Sequence, residues 1–216
     1  MPRILVINPN SNDLVTEKLQ ASLGSYDPYL DLEVDCISLE EGPFGIETDA
    51  DISLVEPLVV NKINDEFSNY DAFVIACYSD PGLSESRRIF QKPIYGIHEA
   101  AVKLCSQLTL KFGVIALGED SINRHADYIK RLHLEQFYVG EEALNISVNQ
   151  AVSATNTLDK IIVSGHKLIK EKGAEIIILG CAGMAKHRLS AEKELGVRVI
   201  DPVQVSVEKA IENTNE

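Results

Sequence analysis

Asp71-Ala72-Phe73-Val74-Ile75-Ala76-Cys77-Tyr78-Ser79 and Glu175-Ile176-Ile177-Ile178-Leu179-Gly180-Cys181-Ala182-Gly183 are the stretches whose reading decides the fold. Each begins on an acid, runs through a short unbroken apolar segment, and stops at a cysteine followed by small or polar residues. An apolar run of this length without polar alternation marks a strand covered on both faces, as in a parallel sheet packed with helices.

Working outward, the same kinds of segment recur in the same order. Ile4-Leu5-Val6-Ile7-Asn8-Pro9-Asn10 pairs with Phe112-Gly113-Val114-Ile115-Ala116-Leu117-Gly118, and Pro93-Ile94-Tyr95-Gly96-Ile97 pairs with Gly196-Val197-Arg198-Val199-Ile200. Together with Glu33 to Ser38 and a weaker Gln136 to Val139, these runs predict eight strands. Strands ending at Cys77 and Cys181 are part of this expectation. Helical periodicity lies between them: after Ser11-Asn12-Asp13, over Ile52 to Phe67, Glu99 to Leu108, Ser121 to Leu132, a long segment from Ala151 to Lys172, one after Gly183, and one from Pro202 to Asn213.

The class is therefore α/β, with an internal duplication of a four-stranded unit. Two pseudo-symmetric lobes are expected, each a four-stranded parallel sheet flanked by helices, with the active site in the cleft between them. Residues 1–97 plus 201–216 form the first lobe in this reading, and 98–200 the second. No Pro/Gly/Ser-rich linker separates them.

The chain has 216 residues, 45% hydrophobic and 25% charged, which suits an ordinary globule and excludes disorder and coiled coil. Its 20 Lys+Arg against 33 Asp+Glu give a formal net charge of -13, a sign that repels phosphate backbones and anionic membranes. Neither nucleic acid nor membrane is an expected partner. A short apolar start and the lack of any run near ~20 apolar residues predict a cytoplasmic protein. Its four cysteines, Cys36, Cys77, Cys105 and Cys181, are widely spaced without a Cys-x-x-Cys pair, so free thiols are expected rather than a disulfide framework or zinc ribbon. Phosphate-binding Gly loops, a Gly-x-Ser-x-Gly elbow and His-Glu-x-x-His are all missing, which removes the usual geometry for nucleotides, serine hydrolysis and zinc.

Ligands of parallel α/β sheets bind outside the carboxyl ends of strands, where the repeat places both Cys77 and Cys181. A two-fold relation between lobes would set the thiols on opposite sides of a ligand. One thiolate, its pKa lowered toward neutrality by a helix N-terminus, would take a proton from a carbon while the other thiol returns one to the opposite face. The product is the mirror image. Backbone N–H groups at Tyr78, Ser79, Ala182 and Gly183 would hold the enolate between these steps, and the scheme calls for no metal and no cofactor.

Asn8-Pro9-Asn10-Ser11, Ala76-Cys77-Tyr78-Ser79-Asp80-Pro81-Gly82-Leu83, Gly96-Ile97-His98-Glu99-Ala100-Ala101 and Leu179-Gly180-Cys181-Ala182-Gly183-Met184, in that order, carry a family resemblance. The chain resembles the hydantoin and allantoin racemase branch of the aspartate/glutamate racemase superfamily from Ile4 to Asp201. That resemblance implies cofactor-independent racemisation of a cyclic ureide by Cys77 and Cys181. It also implies substrate contacts from Asn10 and Ser11, from Gly45 and Ile46 in the Gly42-Pro43-Phe44-Gly45-Ile46 loop, and from backbone after each cysteine. Ala116 and its neighbours Leu117 and Gly118 stand where many relatives carry hydroxyls, so a substrate hydrogen bond there is lost or falls to backbone. A homo-oligomer is compatible with the resemblance, though no surface stripe specifies one.

Two other readings stay open. An aspartate or glutamate racemase would hold carboxylates with hydroxyl residues after its cysteines, whereas here the followers are Tyr78-Ser79 and Ala182-Gly183. A non-catalytic ligand-binding or redox-sensing α/β protein would merely expose its thiols. Several residues have plainer readings: Asn8 as a structural turn, Asp80 as a cap on the helix that follows, His98 as a helix-start residue, His187 as exposed, His125, His133 and His166 as helical residues without metal spacing, and Cys36 and Cys105 as small buried hydrophobes.

Overall fold

A computed structural model describes residues 1–24 and 32–214. Eight strands form two parallel sheets: β1 (Arg3–Asn8), β2 (Glu33–Ser38), β3 (Ala72–Ile75) and β4 (Ile94–Gly96) in the order β2-β1-β3-β4, then β5 (Phe112–Ala116), β6 (Tyr138–Ala143), β7 (Ile176–Leu179) and β8 (Arg198–Ile200) in the order β6-β5-β7-β8. The second order is the first shifted by four strands. Residue pairing repeats as well: Ile4 to Ile7 of β1 face Ala72 to Ile75, and Phe112 to Ile115 of β5 face Ile176 to Leu179.

Among the described residues the helices are α1 (Asp13–Leu23), α2 (Asp49–Glu66), α3 (Leu83–Ile89), α4 (Ile97–Gln107), α5 (Asp120–Arg131), α6 (Val148–Ser153), α7 (Thr157–Lys172), α8 (Arg188–Leu195) and α9 (Pro202–Thr214), with short 3-10 turns at Glu135–Phe137 and Ala182–His187. None is long and apolar enough to cross a membrane. α9 packs on α4 and on strands β1, β3 and β4 of the first sheet.

Alternate residues of each strand enter different cores, as the pleat requires. Ile4, Val6, Ala72 and Val74 join Phe112, Val114, Ile176 and Ile178 in one cluster that spans both sheets and takes in α1, α4 and α9. Leu5, Ile7, Phe73 and Ile75 face α2 through Val59 and Ile63, while Ile115, Ile177 and Leu179 face α7 through Ile161 and Leu168. The halves thus share a core.

Three expectations need correcting, and one helix was not expected. The long helix from Ala151 to Lys172 is two, because Ala154 leaves helical geometry at ψ 143 and α7 starts at Thr157, whose Oγ1 donates to Gln150 O and Ala154 O. The strand placed at Gln136 to Val139 begins at Tyr138 and runs to Ala143, behind a 3-10 turn. The segment after Gly183 opens as a 3-10 turn and becomes α-helical only at Arg188. Helix α3 had no apolar period to announce it: it is a short turn launched from Gly82, whose φ of 72 lies where glycine is favoured and where a Cβ would meet Glu56 O at 2.8 Å.

Candidate active site

Both cysteines lie two residues beyond their strands rather than at the last strand position, since β3 ends at Ile75 and β7 at Leu179. In each half one further backbone bond prolongs the ladder, Ala76 N to Ile7 O and Gly180 N to Ile115 O, both 2.8 Å. The chain then turns at the carboxyl edge, and Cys77 and Cys181 line one cavity of about 200 Å³. A cavity of about 150 Å³ holds a benzene ring, so this volume suits a small ring with a short substituent.

The wall also contains Asn10, Ile46, Tyr78, Ser79, Ala182 and Gly183. Ser11, Gly45 and Ala116 are not on it. Ser11 is held in the turn by its N–H to Pro43 O, Gly45 packs against Val148 where a Cβ would approach within 3.0 Å, and Ala116 is fully buried beneath the wall, which Leu117 and Gly118 supply instead. Asn10 is fixed by Asn8, whose Nδ2 donates to Asn10 Oδ1 at 3.0 Å, and by the Asn12 N–H at 2.9 Å. Asn8 itself is fully buried and structural.

Several wall residues had no motif to reveal them: Glu47, Thr48, Asp120, Arg124 and His125. Glu47 Oε1 accepts the Val148 N–H at 2.9 Å, closing the 42–48 loop of the first half onto α6 of the second. Arg124 on α5 pairs across the halves with Asp49 at the start of α2, at 2.5 Å. A larger open groove of about 1120 Å³, between α2, α3 and α5, shares Ser79, Asp120, Arg124 and His125 with the cavity. The one sequence signal for His125 was its place on the inward stripe of α5 with Ile122 and Ile129.

Asp80 is a cap, but not of the helix that follows it. At φ 46 its carboxylate turns back to α4, accepting the His98 N–H at Oδ1 and the Glu99 N–H at Oδ2, both 2.9 Å, with the Tyr128 hydroxyl donating at 3.2 Å. Gly96 makes room, since a Cβ there would fall 2.3 Å from Asp80 Cγ. Burial pushes Asp80 up to about 7 against the pull of those N–H donors. His98 is fully buried, stacked on Tyr78 at 4.1 Å, and burial holds its imidazole well below the usual range. His187, expected exposed, is half-buried.

The thiols do not rest as thiolates. They are partly accessible through the cavity, yet the surrounding protein removes most of the water a thiolate needs. Burial pushes Cys77 up to about 11 and Cys181 to about 12. The N–H groups of Ser79 and Gly183 pull the other way, Gly183 N reaching Cys181 Sγ at 3.3 Å, and so does Arg124 toward Cys77. The 3-10 turn after Cys181 and the loop after Cys77 bring too few aligned dipoles to win. Cys105 is fully buried, whereas Cys36 is half-buried.

A duplicated parallel sheet with one cysteine past the third strand of each half, both facing one cavity, is matched by a family model described as Asp/Glu/Hydantoin racemase over residues 4–210. The chain belongs to this racemase family. It is 34% identical over 216 residues to a hydantoin racemase of Pseudomonas sp. (strain NS671), an alignment covering 96% of this chain and 84% of that one. A hydantoin racemase of Paenarthrobacter aurescens is 30% identical over 212 residues, 94% and 87% covered. Among solved structures, an allantoin racemase from Klebsiella pneumoniae superposes with a TM-score of 0.92 at 25% identity, covering 100% of this chain and 88% of that one. These relatives support an isomerase of the racemase type, in the hydantoin/allantoin branch.

Proposed function

We propose that the chain racemises a cyclic ureide, allantoin or a 5-substituted hydantoin, without a cofactor, using Cys77 and Cys181 as the acid-base pair. The observation that carries this reading is the single small cavity walled by both thiols. A thiolate on one side takes the ring C–H proton, the electron pair moves onto the adjacent carbonyl oxygen, and the thiol on the other side reprotonates the carbon from the opposite face. The Ser79 and Gly183 N–H groups, expected from the sequence to hold the enolate, are instead directed at the two sulfurs and favour the thiolate that takes the proton.

The charge of the wall favours a neutral ring over an acidic amino acid. Glu47 and Asp120 lie on it, and Arg124, its one Lys or Arg among the described residues, is paired with Asp49. A substrate with two carboxylates would meet repulsion there. A redox sensor would form a disulfide or sulfenate readily, which thiols pushed up by burial disfavour.

Polarimetry on enantiopure allantoin, 5-alkyl and 5-aryl hydantoins, aspartate and glutamate tests the reading. Decay of rotation is expected with at least one ring and with neither amino acid. Turnover of glutamate or aspartate alone would overturn it.

A further inference from the structure

A cavity that holds a ureide ring between two thiols must also meet the ring's N–H groups, and its wall is short of free acceptors. Asn10 Oδ1 already takes N–H groups from Asn8 Nδ2 and Asn12. Thr48 Oγ1 is engaged with Asp51 as donor and as acceptor, and Asp120 is shared with the open groove. Glu47 belongs to the cavity and not to the groove, and one of its oxygens is committed: Oε1 accepts the Val148 N–H at 2.9 Å. Oε2 has no partner among the described residues. The anchor is itself fixed, because the capping box between Ser147 and Gln150 sets the first turn of α6, whose Val148 N–H Glu47 takes. Gly45 leaves room for the carboxylate, since a Cβ there would lie 3.1 Å from Oε1. The carboxylate is also close enough to Cys181 for its charge to act on that sulfur.

The reacting carbon of such a ring stands between an N–H and a C=O. A carboxylate oxygen beside that carbon attracts the N–H and repels the carbonyl oxygen. Turning the ring over about the axis through the reacting carbon exchanges these two sides and, with them, the two faces. An enantiomer bound the other way round would therefore offer its hydrogen to the other thiol. We propose that Glu47 Oε2 accepts the ring N–H next to the reacting carbon and so fixes which way round the ring binds. The inference rests on the proposed function and deepens it: the substrate class narrows to rings with a free N–H at that position. Glu47 takes no proton. It is a specificity residue, and it is what makes each cysteine serve one enantiomer.

Full-length wild type and Glu47→Gln are compared by C–H to C–D exchange in D₂O, followed by NMR. The substrates are the hydantoin that wild type exchanges fastest and the oxazolidine-2,4-dione with the same substituent, which puts an oxygen where that N–H stood. Glu47→Gln is expected to slow the hydantoin by about 10- to 10²-fold, the usual loss for a hydrogen bond to a charged group, and not to slow the oxygen analogue. Differences in intrinsic acidity cancel, because each ring is compared with itself across the two proteins. Cys181 should be alkylated faster in Glu47→Gln, not slower, which separates the effect from a collapsed cavity. The second arm uses Cys77→Ser, with exchange of each pure enantiomer. Adding Glu47→Gln there presents an amide N–H₂ that suits the carbonyl side of the ring, so the preference between enantiomers should fall at least tenfold or reverse. If Cys77→Ser exchanges neither enantiomer, Cys181→Ser takes its place, and if that is silent too the first arm decides alone. Equal slowing of both rings, or an enantiomer preference within twofold of the parent, overturns the inference and leaves the two-thiol reading standing. If wild type exchanges no ring, binding of the non-reactive 5,5-dimethylhydantoin decides: binding weakened tenfold or more by Glu47→Gln sinks the proposed function but keeps the N–H contact, and any other result sinks both.

Discussion

The loop after Cys77 and the loop after Cys181 leave equivalent strands at equivalent positions, yet they are held in opposite ways. In the first half, Asp80 reaches across to the N-terminus of α4, so the cysteine loop is tied to a neighbouring helix through a residue that must sit at φ 46. In the second half the matching helix α9 is capped from its own sequence, Asp201 Oδ1 accepting the Val203 N–H at 3.0 Å, and the cysteine loop folds on itself as a 3-10 turn. The charges differ as well: Asp80 opposes and Arg124 favours the Cys77 thiolate, whereas Cys77 and Glu47 both oppose that of Cys181. The backbone route to the cavity is the same in both halves, while the support of each thiol is separate.

The largest effect that can break the comparison is removal of either thiol. Cys77→Ser and Cys181→Ser should each lower inversion by at least the ~10²–10⁴-fold typical of a lost acid or base. Each variant should still exchange the ring hydrogen of one enantiomer, and the two should choose opposite enantiomers. Deuterium exchange followed by mass spectrometry checks this, and exchange of the same enantiomer by both would sink the two-sided arrangement.

Next in size is Gly96→Ala. Its Cβ would fall within 2.6 Å of three atoms of the Asp80 carboxyl group, so the Cys77 loop must give way. Overpacking of this kind costs roughly 1–3 kcal/mol, about 2–12 °C in melting temperature for a chain of this size. Activity should fall further than stability, because displacing a reacting group by about 1 Å can cost ~10²-fold. Calorimetry beside polarimetry tests it. No matching sensitivity is expected in the second half, where α9 carries its own cap.

A smaller contrast concerns pH. Burial holds Asp80 up to about 7 and Asp201 up to about 6 in the fold, above the ordinary value of 3.8. The folded chain therefore keeps protons that the unfolded chain has released, so the stability they contribute is full below about pH 4 and is lost as pH rises through 6 to 7. Asp80→Asn removes the Asp80 share of that slope, leaving that of Asp201, and also one of the two caps, since an amide accepts one N–H but not both. It should be less stable than wild type by roughly 1 kcal/mol at pH 5, with the gap narrowing by pH 8. Urea unfolding at four pH values measures this; parallel curves would refute it.

Much of this was legible in sequence because parallel strands advertise themselves. Ile176 to Leu179 and Ala72 to Ile75 are apolar on both faces, and their repetition predicts both sheets and the two cysteines on one cavity. What stayed hidden are contacts that depend on distance in space. His125 reads as a polar interruption of an amphipathic stripe until Glu141 appears 2.9 Å away from another element. Asp80 reads as a local cap because sequence shows only the nearest helix. The thiol pKa was misjudged for a related reason: a helix N-terminus is visible in sequence, whereas the density of protein around Sγ is not.

The finest test of the comparison asks whether Arg124 and Glu47 make the thiols unequal. On Cys77 the opposing charge of Asp80 is offset in part by Arg124, while Cys77 and Glu47 both oppose the thiolate of Cys181 with no cation to offset them. Burial pushes both thiols up, Cys77 to about 11 and Cys181 to about 12, so each is a thiolate only in a small minority of molecules at pH 7. Iodoacetamide reacts with thiolates, so Cys77 should label first in the ligand-free protein, and labelling of both should accelerate with pH up to the limit of fold stability. Arg124→Gln should slow Cys77 by about three- to tenfold, a range suited to one partly screened charge, and leave Cys181 nearly unchanged. Glu47→Gln should do the reverse, speeding Cys181 within the same range, provided the amide oxygen of the substituted side chain still accepts the Val148 N–H and holds the loop. Peptide mapping after timed alkylation resolves the two sites. If Arg124→Gln slows both cysteines alike, the Asp49 pair across the halves governs access to the cavity rather than the charge at Cys77, and the electrical asymmetry between the thiols is refuted.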